Sequence, residues 1–331
     1  MTQPTDIDCP DRLGRRPRYL RISITGRCNL RCLYCTSDED HSGSPPADGL
    51  TDTEIRRLLP LFARLGVCKV RFTGGEPLLR PGLPDLMRDA LATDGIDTVA
   101  LTTNGWHLES QLDAATDAGL RSVNISCDTL RRDRFYRIAR RRGLGRVLRA
   151  IDAALAHPQI KRLKLNVVVM RGINDDEVGD FLAYCENPKV HVRFIEFMPT
   201  ADVAYARDWL VPETEIRARL GFPLEPIDRD DPTAPAKLWA LTDRPGRVGF
   251  ISTMTHKFCD ACTRIRLTAD GRIANCLFAE TLLDLKTLLR TGADDATILT
   301  ALTSCWQTKP AAHRLDDPTF RGRPTMIAVG G

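Results

Sequence analysis

At 331 residues and 43% hydrophobic content, the chain is long enough for one large α/β barrel with an extension, or for two domains. No apolar run approaches the ~20 residues of a membrane span, and the polar opening with Pro10 and Pro17 does not read as a signal peptide, so a cytoplasmic protein is expected. Eleven cysteines in such a chain point to metal or redox use rather than disulfides, and a net charge of +4 is compatible with an anionic substrate.

In chain order, residues 1–17 read as an N-terminal arm and Tyr19 to Thr25 as a first strand. The loop after it carries Cys28, Cys32 and Cys35 at the spacing C-x3-C-x2-C. A closed zinc site takes four tetrahedral ligands and disulfides use cysteines in pairs. Three thiolates suit a cubane iron–sulfur cluster whose fourth iron stays open. A zinc knuckle with a distant fourth ligand is the competing reading. Residues 41–49 form a Ser-, Pro- and Gly-rich loop. Thr51 and Glu54 then make a capping box for a helix with Ile55, Leu58, Leu59, Phe62 and Leu65 on one face. Cys68 to Phe72 is the second strand, ending in Thr73-Gly74-Gly75-Glu76-Pro77. A helix around Pro84–Leu91 leads to strands at Thr98–Thr102, Ser122–Ser126, Leu163–Met170 and Val190–Phe197, each preceded by a helix. Six strands alternating with helices predict a parallel sheet, with functional loops at the strands' carboxyl ends.

Residues 201–245 lose this pattern in Pro- and Asp-rich sequence and read as a connection or lid. In residues 246–331, Cys259, Cys262 and Cys276 form a second incomplete set, C-x2-C-x13-C. A second open-iron cluster and a zinc site completed by His256 both remain open on these residues alone. Helices are expected near Leu282–Leu289 and Ala296–Trp306, followed by a tail ending in Gly330-Gly331. Basic residues recur at alternate strand positions. Lys69 and Arg71 share one face of their strand and Arg264 and Arg266 one face of theirs, while Arg21, Lys164 and Arg193 sit on three others. Paired guanidinium groups suit an anionic ligand. The nine arginines of Arg131–Arg149 read as a helix pair with a solvated face, and Cys9, Cys68, Cys127, Cys185 and Cys305 as ordinary thiols.

C-x3-C-x2-C with Tyr34 before its last cysteine resembles the signature of radical S-adenosylmethionine (SAM) enzymes. With the second cysteine set, the chain resembles the GTP 3′,8-cyclases, most specifically over Arg21–Cys35, Val70–Pro77, Leu101–Gly105, Asn124–Asp128, Lys164–Val168, Arg193–Met198 and Phe258–Leu267. One departure is Thr36-Ser37, where that family commonly has Met-Pro. The resemblance implies a partial (βα)6 TIM-like barrel over residues 18–200, with a C-terminal extension carrying a second cluster. It implies two [4Fe-4S] clusters, on Cys28, Cys32, Cys35 and on Cys259, Cys262, Cys276. SAM would lie at Tyr34, Gly74, Gly75, Ser126 and Met198. GTP would lie at Arg21, Lys69, Arg71, Thr102, Lys164, Arg193, Arg264, Ile265 and Arg266, and Gly330 and Gly331 would support turnover. The implied reaction turns GTP into (8S)-3′,8-cyclo-7,8-dihydroguanosine 5′-triphosphate, the first step of molybdenum cofactor synthesis. A 5′-deoxyadenosyl radical would take hydrogen from C3′ and the carbon radical would attack C8. Implied partners are a flavodoxin- or ferredoxin-type electron donor and a downstream cyclic pyranopterin monophosphate synthase, without membrane or nucleic acid; a homodimer is compatible. The rival expectations are a radical SAM peptide-modifying enzyme with an auxiliary cluster, and a non-catalytic metal scaffold that binds nucleic acid through Arg131–Arg149.

Overall fold

The structure, a computed structural model, describes residues 7–35, 49–199, 206–228, 231, 233–279, 282–315 and 326. Six parallel strands follow one another in chain order: β1 (Tyr19–Ser23), β2 (Lys69–Thr73), β3 (Thr98–Thr103), β4 (Ser122–Ser126), β5 (Arg162–Val169) and β6 (Val190–Glu196). Parallel neighbours need crossovers. These are α1 (Asp52–Arg64), α2 (Leu83–Leu91), α3 (Leu108–Asp117) and the pair α4 (Arg132–Ala139) and α5 (Leu144–Ala156). The capping box of α1 forms in both directions: the Glu54 N–H donates to Thr51 Oγ1 at 3.1 Å, and the Thr51 N–H to Glu54 Oε2 at 2.7 Å.

The last crossover departs from expectation. Between β5 and β6 the chain makes a 3-10 stretch, Asp180–Glu186, instead of an α-helix. The buried Asn174 and Glu177 are spent on tertiary bonds just before it. Asn174 donates to the Asp128 carbonyl and Glu177 accepts from Thr129 and Leu130. Residues 206–245, expected as unpatterned connection, hold α6 (Glu213–Leu220), β7 (Leu224–Ile227), β8 (Lys237–Leu241) and the start of β9 (Arg244–Ile251). Their apolar signal is weak because β7 is an edge strand with two exposed residues, Glu225 and Pro226.

Strand β9 pairs parallel with β6 and antiparallel with β8. At the other edge β10 (Arg264–Leu267) lies parallel beside β1, followed antiparallel by β11 (Arg272–Ala274) and β12 (Leu283–Asp284). One 12-stranded sheet therefore runs across the boundary drawn at residue 246. The helix expected over Leu282–Leu289 begins later, as α7 (Leu285–Arg290) after β12, and α8 (Asp295–Gln307) follows. No helix among the described residues is long and apolar enough to cross a membrane.

Alternation along the strands separates two environments. On β1 and β2, Leu20, Ile22, Val70 and Phe72 are buried against helices with Phe62 and Leu58, in the apolar core. Tyr19, Arg21, Lys69 and Arg71 take the opposite face. The arm before β1 is tied to the segments around Cys259 and Pro310 by Arg15. Its guanidinium is buried with Asp11 (2.6 Å) and donates to the carbonyls of Cys259 at 2.7 Å and Pro310 at 2.9 Å. Trp306 Nε1–H in turn donates to the Arg15 carbonyl at 3.1 Å.

Candidate active site

The polar face of the sheet surrounds a cavity of ≈ 580 Å³, within the usual range for ligand sites. Residues from β1 through β6 and from β9 and β10 line it, so the sheet is curled around it. Every described residue proposed above for clusters, SAM or GTP lines this one cavity except Ile265. Ile265 alternates with Arg264 and Arg266, pairs with Leu20 and buries its side chain in the core, so only its backbone can serve a ligand. Gly330 and Gly331 lie outside the described residues.

Strand register builds a cationic wall. Arg266, Arg21 and Arg71 are direct neighbours across β10, β1 and β2. Asn124, Lys164 and His191 are neighbours across β4, β5 and β6, as are Ser126, Asn166 and Arg193 one step further along. Asp128 and Asp231 are the only carboxylates among the described lining residues. Burial, reinforced by Arg193, Arg71 and Lys69, pulls Lys164 down to about 5. Burial first and neighbouring cations next bring Arg21 and Arg193 to about 10. Burial pushes the Tyr19 phenol up, but Arg71, Arg21 and Lys69 outweigh it and bring it to about 7. Tyr19 accepts from Arg71 Nε, and Lys69 Nζ lies 5.1 Å from the centre of its ring. A wall so rich in cations is complementary to a polyanion.

Both cysteine sets face the same cavity, and all eleven cysteines are free thiols. Cys28 and Cys35 are close enough to Cys32 to raise its thiol further, though burial is the main cause. In the second set burial pushes Cys262 up, while Arg264 and Lys309 outweigh it and bring it to about 6. Arg264 Nε donates to Cys262 Sγ at 3.3 Å, and its guanidinium lies 4.8 Å from the Phe258 ring centre. His256, the candidate fourth zinc ligand, does not line this cavity. Its Nδ1 lies 3.1 Å from Thr255 Oγ1 and 3.8 Å from Glu213, beside a separate hollow. Among the described residues, no three or more His, Cys, Asp or Glu side chains are arranged to hold a single metal ion. Each set brings three thiols to the wall of the cavity, and three thiolates are a donor set that suits a cubane.

The Gly74-Gly75-Glu76 turn is laced to the first cysteine loop. The Gly75 N–H donates to the Thr25 carbonyl and the Glu76 N–H to the Arg27 carbonyl, both at 2.7 Å. A Cβ on Gly75 would lie 2.3 Å from the Arg27 oxygen, so only glycine fits this approach. Glu76 is fully buried and accepts from Thr103 Oγ1 and the Asn104 N–H, both at 2.7 Å; burial pushes it up to about 7. Tyr34 donates to Asp128 Oδ2 at 2.7 Å, and Asp128 Oδ1 accepts from the Val168 N–H at 2.9 Å. Burial pushes Asp128 up to about 6 against both bonds.

Residues 22–185 match the Radical SAM superfamily and residues 190–315 match Molybdenum Cofactor Synthesis C. The GTP 3′,8-cyclase of Moorella thermoacetica is 39% identical over 97% of this chain and 99% of its own length. The mitochondrial GTP 3′,8-cyclase of Arabidopsis thaliana is 40% identical over 97% of this chain and 83% of its own. The chain belongs to the GTP 3′,8-cyclase family. As a radical SAM enzyme of that family it uses SAM and an iron–sulfur cluster. Among solved structures, Streptococcus suis SuiB bound to precursor peptide SuiA is similar, with a TM-score of 0.62 at 15% identity. The match covers 90% of this chain and 66% of that one, and the likeness is one of fold alone.

The cyclase-family motifs do not exhaust the lining. Tyr19 shares a strand face with Arg21, so period-two reading of β1 could have found it. Asp128 and Asn104 stand at strand ends, where functional side chains are expected. Lys309 carried no local signal. It reaches in from beyond α8, donating to the carbonyls of Arg264 at 2.9 Å and of Asn275.

Proposed function

We propose that the protein converts GTP into (8S)-3′,8-cyclo-7,8-dihydroguanosine 5′-triphosphate, within a partial (βα)6 barrel that holds two [4Fe-4S] clusters. The observation that carries this is the shared cavity: two three-thiol sets and a wall of buried cations face one space. Cys28, Cys32 and Cys35 would hold the SAM-binding cluster, and Cys259, Cys262 and Cys276 the second. When bound, the first cluster with SAM supplies the 5′-deoxyadenosyl radical.

This chain's own residues do the positioning. Tyr34, Gly74, Gly75, Ser126 and Met198 lie on the cavity wall with the first cysteine set and would cradle SAM. Arg21, Lys69, Arg71, Lys164, Arg193 and Arg266 would hold the triphosphate, with Thr102 beside Arg71 Nη1 at 3.1 Å. Arg264, bonded to Cys262, would set the second cysteine loop beside the guanine base. Gly330 and Gly331 would complete the site as a tail, a one-electron donor protein would reduce the first cluster, and a separate synthase would take the product onward.

Binding of GTP is expected to take up protons. Lys164 sits at about 5 in the protein alone, and a polyanion beside it removes the repulsion and raises that value. The bound value lies above the free one, so affinity is greatest at low pH and falls as pH rises from about 5 through the bound value. Tyr19, at about 7 in the protein alone, adds an effect of the same sign. Titration calorimetry in buffers of different ionisation heat would show buffer-dependent heats; identical heats in every buffer would refute proton uptake. The reaction itself is tested anaerobically with SAM, GTP and a one-electron reductant, expecting 5′-deoxyadenosine and cyclised nucleotide together. SAM cleavage indifferent to GTP, with no cyclised nucleotide, would sink the assignment.

A further inference from the structure

His191 on β6 is 3% exposed, lines the cavity and belongs to no motif singled out in the sequence. Its Nε2 lies 2.9 Å from Arg162 Nη1. A guanidinium has donors only and does not give up its charge in proteins, so Nε2 must be the acceptor in this contact. The ring proton of a neutral His191 therefore sits on Nδ1. That atom is buried and has no hydrogen-bond partner among the described residues. The charged groups acting on His191 are Arg162 and Lys164 from β5, Arg193 from its own strand and Arg247 from β9. A protonated arginine cannot accept a proton, so Arg162, Arg193 and Arg247 cannot satisfy the Nδ1–H, and Lys164, whose neutral amine could accept, makes no bond to it. Burial, then Arg162, Arg193 and Lys164, pulls the imidazole down to about 2, so the ring stays neutral across the physiological range. A buried donor left unmatched is costly, and since His191 is on the cavity wall an acceptor brought by a ligand would match it.

We infer that His191 is a further substrate-binding residue, whose Nδ1–H donates to an anionic phosphate oxygen while Arg162 fixes the tautomer. The inference rests on the nucleotide reading above. It adds a neutral donor to a cationic wall, able to bond one oxygen directionally without adding charge repulsion to its neighbours.

The test uses the anaerobic, cluster-loaded protein with three probes: GTP, guanosine and inorganic tripolyphosphate. His191→Phe keeps an aromatic ring of similar size but offers neither acceptor nor donor. It should weaken GTP and tripolyphosphate about tenfold to a hundredfold, the range for a hydrogen bond to a charged group, and leave guanosine unchanged. His191→Gln supplies both an oxygen for Arg162 and an N–H, so it should retain most of the affinity. GTP bound by His191→Phe as tightly as by the wild type, or guanosine weakened equally, overturns the inference. If the Phe variant does not fold, the wild-type protein labelled with 15N-histidine decides. A neutral ring protonated at Nδ1, shifting when tripolyphosphate is added, supports the inference; an Nε2–H tautomer or an unresponsive signal overturns it. Wild-type protein that binds neither GTP nor tripolyphosphate would instead overturn the nucleotide reading beneath it.

Discussion

Alanine at Cys28, Cys32 and Cys35 together is expected to halve the iron of anaerobically prepared protein and abolish reductive cleavage of SAM. On the proposed reading two cubanes would hold about eight irons, and each set would contribute three thiolates to one of them. The first set lies on the loop after β1 and is laced to the Gly74-Gly75 turn proposed for SAM, so its cluster would be the one SAM reaches. Alanine at Cys259, Cys262 and Cys276 should also halve the iron, yet leave SAM cleavage that no longer yields cyclised nucleotide. These thiols share the cavity, but Cys259 and Cys262 precede β10 at the amino-terminal end of the β1–β10 pair, where Arg15 clamps the Cys259 carbonyl. Iron and sulfide analysis beside 5′-deoxyadenosine assays separates the two outcomes. Equal loss of SAM cleavage from both triple variants, at half the iron, would show that the sets do not divide the work this way. Stoichiometric zinc in freshly isolated anaerobic protein would remove the second cluster altogether.

Gly75→Ala should be nearly as damaging as loss of a cysteine, although it removes no ligand. The added methyl would lie 2.3 Å from the Arg27 carbonyl oxygen, 2.6 Å from its carbon and 3.0 Å from Cys28 Cβ. The first two are backbone atoms and cannot rotate away. Either the loop carrying Cys28 moves or the turn does, and the two hydrogen bonds joining them are lost with the move. The expected result is folded protein with reduced iron and SAM binding too weak to support cleavage. Gly145→Ala is the control, because its nearest contact for an added methyl is the flexible end of Arg149 at 3.9 Å. Native SAM affinity in Gly75→Ala would show that the close approach carries no function.

The alternation of strands with helices from β1 to β5 was legible in the sequence, and so were both cysteine sets, because each is a local pattern. The same period of two that placed Arg21 and Arg71 inward also placed Tyr19 there, and it turned the Ile265 side chain into the core. Nonlocal features left no such trace. That β10 would lie beside β1 and bring Arg266 next to Arg21 follows from closure of the sheet, not from any neighbouring residues. Lys309 and Arg15 enter through the same closure. His191 is legible only with Arg162 opposite it, since a lone histidine on an apolar strand reads as core. The 3-10 crossover before β6 follows Asn174 and Glu177, whose tertiary bonds no sequence period reports.

The place of β1 in the sheet has a consequence in time. It leaves the ribosome before β2 to β12, yet it lies between β2 and β10, and Tyr19 waits for Arg264, 264 − 19 = 245 residues later. At the usual ~5–20 residues per second of synthesis, one edge of β1 stays without its partner for roughly 12–50 s. Through that interval Arg21 lacks Arg266, the Cys259 loop does not exist, and Arg15 has no carbonyls to clamp. The nascent chain can present Cys28, Cys32 and Cys35 long before Cys276 exists, so a cluster on the first set would have its ligands well before one on the second.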